Sequence, residues 1–119
     1  MSNNNNINSL IIEAIQDKKG KGITILDLSG IESAPAHQFI ICQASNPTQT
    51  GAVADSVYDT LLEKASRKPY HTDGYRNREW LILDYGDFIV HIFLPDIREH
   101  YNLEGLWNDA VRTDIPDLD

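Results

Sequence analysis

Apolar residues recur along this chain in two rhythms, and the switches between them mark out its elements. Leu10, Ile11, Ala14 and Ile15 keep helical spacing behind Asn8 and Ser9, either of which can cap, and the run stops at Lys18-Lys19-Gly20. A short amphipathic first helix is predicted. Ile23-Thr24-Ile25-Leu26-Asp27 is rich in β-branched residues and bounded by Gly22 and Ser29-Gly30, which reads as a strand. Gln38 to Gln43 reads as a second strand, with Glu32-Ser33-Ala34-Pro35 as a loop between the two. Asn46-Pro47-Thr48-Gln49 supplies a cap, a proline at the first helical position and a glutamine three residues after the cap. The long helix it starts buries Val53, Val57 and Leu61, joined by Ala54, Tyr58 and Ala65, and runs to about Lys68.

The strongest local signal is a hairpin. Trp80 to Tyr85 and Phe88 to Leu94 flank Gly86-Asp87, a two-residue connection of the Gly-X kind. That turn sets Trp80 opposite Phe93, Ile82 opposite His91 and Asp84 opposite Ile89. One face then carries Leu81, Leu83, Tyr85, Phe88, Val90 and Ile92, and the other carries Trp80, Ile82, Asp84, Ile89, His91 and Phe93. Both faces are largely apolar, so both need cover. After Pro95 a helical turn through Ile97 and Tyr101 is predicted, then a last helix capped by Asn102 with Leu103, Leu106, Trp107, Ala110 and Val111 on one stripe. The order α, β, β, α, β, β, α predicts an α/β fold, a mixed β-sheet with helices packed on it.

A chain of 119 residues has room for one domain. Its expected extent is 9–112, between a polar, disordered lead-in of residues 1–8 and an unordered acidic tail of 113–119. The single cysteine, Cys42, excludes an internal disulfide and points to a reducing compartment, with the cytoplasm as the expectation. The apolar stretches are too short for a membrane span, and the asparagine-rich start has no features of a secretory signal. The net charge of −8 argues against loose attraction to a phosphate backbone. All of that imbalance lies in residues 79–119, where two basic side chains, Arg98 and Arg112, face ten acidic ones. The region is either a solvated acidic surface or a docking face for a basic partner.

Candidate chemistry is sparse. Neither common phosphate-cradling loop is present, and Lys19-Gly20-Lys21-Gly22 leaves a helix rather than opening one. His37, His71, His91 and His100 have no metal-ligand spacing, so neither a metal nor a cofactor is expected. Asp84 is the diagonal neighbour of His91 in the hairpin register. That pair reads first as a structural tie, with acid–base catalysis and partner contact as alternatives. Cys42 lies in an apolar strand without a basic neighbour and reads as a small core residue. Trp80, Tyr85, Phe93, Tyr101 and Trp107 crowd into the acidic third, a mixture that serves core packing and also suits an interface.

The run from Trp80 through Asp84-Tyr85-Gly86-Asp87 to His91-Ile92-Phe93, followed by Arg98, Tyr101, Leu103-Glu104 and Leu106-Trp107, resembles the ribosomal silencing factor family, also called RsfS, YbeB or Iojap. Two stretches depart from the family pattern: Ala36-His37-Gln38-Phe39, where an acidic residue is usual, and Pro47-Thr48-Gln49. The resemblance implies a fold related to nucleotidyltransferases but without their catalysis. In agreement, the chain has no Gly-Ser dipeptide, and its only Asp-x-Asp is Asp117-Leu118-Asp119. It further implies a non-enzymatic factor that binds the large ribosomal subunit through ribosomal protein fourteen of that subunit, blocks subunit joining and represses translation. A homodimer is implied for the free protein. The signature residues Trp80, Asp84, Tyr85, Asp87, His91, Phe93, Arg98, Tyr101, Leu103, Glu104 and Trp107 are, by that resemblance, the expected partner contacts. The competing reading is a nucleotide- or phosphoryl-transfer enzyme using Asp84, Asp87 and His91.

Overall fold

The computed structural model describes residues 3–118. A six-stranded mixed sheet is built from β1 (Lys21–Asp27), β2 (Gln38–Gln43), β3 (His71–Asp73), β4 (Trp80–Asp84), β5 (Phe88–Phe93) and β6 (Val111–Asp114), in the spatial order β3-β4-β5-β2-β1-β6. Only β2 and β5 run parallel; every other neighbouring pair is antiparallel. The β4–β5 register is the one that the Gly86-Asp87 turn predicts, with Trp80 opposite Phe93, Ile82 opposite His91 and Asp84 opposite Ile89. Gly86 takes a φ of +90°, open to glycine without a side-chain penalty, and its N–H donates to Asp84 Oδ1 at 2.8 Å.

The two faces of the hairpin enter two separate cores. Leu81, Leu83, Tyr85, Phe88, Val90 and Ile92 pack with Ile40 and Cys42 beneath α1 (Asn3–Asp17) and α2 (Pro47–Ala65), which supply Ile11, Ile15, Val53, Val57 and Leu61. On the opposite face Ile89 and Phe93 pack with Leu26, Leu28, Phe39, Ile41 and Leu103. Long helices cover the first face. The second is covered more thinly, by the β1–β2 loop, two short helices, α3 (Pro95–Tyr101) and α4 (Leu103–Leu106), and Trp107 and Ala110 of the turn that follows them. Among the described residues no helix is long and apolar enough to cross a membrane.

The α2 boundaries follow local chemistry. Asn46 Oδ1 accepts from Gln49 N–H at 2.9 Å, Pro47 opens the helix, and Ser66 ends it in the left-handed conformation, a little before Lys68.

Three expectations need correction, each because a tertiary contact outweighs local preference. The polar lead-in is helical from Asn3: Asn8, read as a cap, sits within α1 and exchanges two amide hydrogen bonds with Gln38 of β2, at 3.2 and 2.7 Å. The last helix stops at Leu106 instead of running through Val111, and the chain turns into β6. The acidic tail is ordered, because β6 pairs with β1 and the residues beyond it continue the seam. Ile115 N–H donates to Ile23 O at 2.9 Å, Gly22 N–H to Asp117 Oδ1 at 2.8 Å, and Lys21 Nζ to Leu118 O at 3.1 Å. The expected disorder of Met1, Ser2 and Asp119 falls outside the described residues.

Candidate docking surface

β4 lies next to the edge strand β3, and on the thinly covered face of the sheet its Trp80 is a large side chain left only half-buried. Its indole stacks on Phe93, directly across the ladder, with ring centroids 4.9 Å apart and planes 26° apart. Tyr101, at the end of α3, leans on it from outside at 4.7 Å and remains 51% exposed. Trp107, half-buried, meets the edge of Phe39 at 6.2 Å, and Leu106 beside it is exposed. Between α3 and the β3–β4 loop lies a groove of about 490 Å³. Trp80, Ile97 and Tyr101 give it apolar walls, and Asp73, Arg76 and Glu79 line it with charge. A surface of aromatic side chains with a polar border is the anatomy of a protein-binding patch.

His91 lies under this surface, 5% exposed. Its Nδ1 accepts the Trp80 Nε1–H at 3.1 Å, and Phe39 packs edge-on at 4.5 Å. Burial pushes its pKa down to about 3, so the imidazole is neutral. Among the described residues no acceptor lies within hydrogen-bond distance of Nε2.

The short helices are anchored by one arginine. Arg98 donates Nη1 to Gly22 O at 2.6 Å and to Gln43 Oε1 at 3.1 Å, Nη2 to Thr24 Oγ1 at 3.1 Å, and Nε to Glu104 Oε2 at 2.9 Å. The Arg98 and Glu104 side chains are only 12% and 13% exposed. Gly22 has a φ of +61°, and a Cβ there would lie 2.8 Å from Arg98 Nη1, so glycine is what lets the guanidinium reach the β1 carbonyl.

The structure therefore divides the signature residues. Trp80, Tyr101 and Trp107 reach the surface on one side of the sheet. Tyr85 and Phe93 are fully buried, His91 and Leu103 nearly so, and Tyr85 lies in the opposite core, where burial raises its hydroxyl pKa. Arg98 and Glu104 satisfy each other. None of these six offers a partner much surface; Phe93, His91, Leu103, Arg98 and Glu104 lie beneath or beside Trp80 and the short helices, whereas Tyr85 belongs to the other core. Asp84 does not pair with His91: its carboxylate caps the hairpin turn. Asp87, exposed at the hairpin tip, pairs with Arg67 at 2.7 Å.

Asp84, Asp87 and His91 thus spend their polar atoms on three different partners and form no common site. Cys42 is wholly buried, and burial raises its thiol pKa to about 12, which disfavours the reactive thiolate. Among the described residues no group of three or more His, Cys, Asp or Glu side chains could hold a metal ion.

Sequence reasoning missed the β3–β4 loop as a wall of the groove. Its signal is faint: His71-Thr72-Asp73 is short, polar and exposed, and only the following glycine marks a turn.

The fold is a mixed sheet with two long helices on one face and a partly open aromatic surface on the other. The chain belongs to the ribosomal silencing factor family: residues 2–119 match the family described as "Ribosomal silencing factor during starvation". It is 33% identical over 112 residues to the ribosomal silencing factor RsfS of Halalkalibacterium halodurans, covering 94% of each chain. With RsfS of Chromobacterium violaceum it shares 37% identity over 101 residues, covering 85% of this chain and 81% of that one. A crystal structure of a Chromobacterium violaceum protein, 36% identical, superposes with a TM-score of 0.81 over 87% of this chain and 85% of that chain.

Proposed function

We propose that this protein silences ribosomes: it binds the large ribosomal subunit through ribosomal protein fourteen of that subunit and sterically prevents the small subunit from joining, which represses translation in the cytoplasm. The observation that carries the reading is the Trp80–Tyr101 surface, two aromatic rings in tilted contact beside a groove, in a member of a family defined by ribosome silencing. The activity is binding, so the protein needs no catalytic group, metal or cofactor. The area it denies to the small subunit is its output.

Trp80 and Tyr101 are the anchors in this reading, with Trp107 and the exposed Leu106 extending the contact. In the free protein the same kind of exposed apolar surface favours a homodimer.

Sedimentation of purified subunits with the protein tests the function. The expected outcome is co-migration with the large subunit and fewer joined particles. Unchanged joining at saturating protein would remove the reading.

A further inference from the structure

We propose that His91 is a positioning residue for the docking surface: buried beyond a partner's reach, it fixes the Trp80 indole in the orientation presented to the partner by accepting its N–H. The inference rests on the docking reading above and adds to it a residue that acts through another.

Trp80 is the one part of the aromatic surface that is rooted in the sheet. Phe93 stacks against one face of its ring and Tyr101 leans on the ring from outside. Stacking of this kind fixes a ring's tilt far better than its rotation within the plane, because a π-face offers no single point of attachment. The Nε1–H to His91 Nδ1 bond, at 3.1 Å, supplies that point and decides which edge of the indole faces inward. An indole N–H can only donate, so Nδ1 is the acceptor and Nε2 carries the proton.

The choice of histidine makes sense only through this bond. Among the described residues its Nε2 has no acceptor, and a buried donor left without one costs free energy that leucine or phenylalanine would not. Ile89, Ile41, Phe39 and Phe93 show that the surrounding core is otherwise built from apolar side chains. What His91 offers in exchange is an acceptor aimed at Trp80.

The experiment is a double-mutant cycle on affinity for isolated ribosomal protein fourteen, with the Trp80 indole ¹H–¹⁵N resonance as a second readout. His91→Leu fills the same space without an acceptor, and His91→Asn can restore one near the Nδ1 position. His91→Leu should move the Trp80 indole resonance and weaken binding roughly tenfold at unchanged melting temperature, the scale of one hydrogen bond's worth of orientation. His91→Asn should recover part of both. In a Trp80→Phe background, where no N–H exists to be held, His91→Leu should leave affinity unchanged. Equal weakening in both backgrounds, or a shifted resonance with wild-type affinity, would overturn the positioning role. Absence of binding by the unmodified protein would instead overturn the docking reading on which it rests.

Discussion

At His91 burial decides protonation. The apolar setting of Phe39, Trp80 and Phe93 lowers the pKa from the usual 6.5 to about 3, with desolvation as the cause. The folded state therefore refuses a proton that the unfolded state takes up as pH falls below 6.5. The stability contributed by the neutral imidazole is complete above that value and lost progressively towards pH 3, at about 1.4 kcal/mol per pH unit. Urea unfolding between pH 7 and 4 should show this slope in the wild type and lose it in His91→Leu; equal slopes would mean that other groups carry the acid sensitivity. Tyr101 offers the opposite case. Half-exposed and touching the body mainly through Trp80, it contributes little to the core, so Tyr101→Ala should leave the melting temperature nearly unchanged while weakening ribosomal binding by about thirtyfold, or ~2 kcal/mol. Melting curves and affinities measured side by side separate the two effects.

Among the elements, α3 has no fully buried residue of its own, so its position depends on Arg98. That guanidinium spans β1, β2 and α4 with four acceptors, a fork that a lysine ammonium cannot reproduce. Arg98→Ala would strand Glu104 as a buried unpaired charge and should cost about 3–5 kcal/mol, with Arg98→Lys intermediate. Adding Glu104→Gln to Arg98→Ala should recover part of the loss, which chemical denaturation can read. Such interactions set the limit of what the sequence revealed. The β4–β5 hairpin was fully legible because Gly86-Asp87 and the apolar residues around it specify turn, register and both faces locally. The stripe from Leu103 to Val111 satisfies helical spacing just as well, yet the chain leaves the helix after Leu106, because β1 would otherwise have a bare edge and Val111–Asp114 fills it. Nothing in Val111-Arg112-Thr113-Asp114 announces that pairing, nor does His71-Thr72-Asp73 announce β3; both are edge strands with every residue exposed. The aromatic signature likewise marked the stretch of chain from which Trp80, Tyr101 and Trp107 come. It did not distinguish Trp80 and Tyr101, which reach solvent, from Phe93 and Tyr85, which do not, since that depends on which sheet face each helix covers.

For the molecule as a whole, charge and shape must be reconciled. A chain of net −8 is repelled by ribosomal RNA, so the proposed docking on the large subunit requires a basic protein surface whose attraction exceeds that repulsion. In the proposed docking, the ten acidic side chains of residues 79–119 supply the complement, but they are not equivalent. Glu104 is occupied by Arg98, Asp84 by the hairpin turn, and Asp114 by Thr24, whose hydroxyl bond is the main cause of its lowered pKa. Glu79, Asp96 and Glu99 are exposed, and Glu79 lines the groove at Trp80. These exposed carboxylates are screened by water and salt, so each contributes mainly to the rate of encounter, by about 1 kcal/mol or less. Reversing Glu79 and Glu99 to lysine together should slow association with isolated ribosomal protein fourteen, flatten its dependence on ionic strength, and leave the dissociation rate and melting temperature close to wild type. Stopped-flow binding across a salt series measures all but the last of these. An association rate and salt slope identical to wild type would reduce the acidic third to a solvated surface and leave the aromatic patch to account for docking alone.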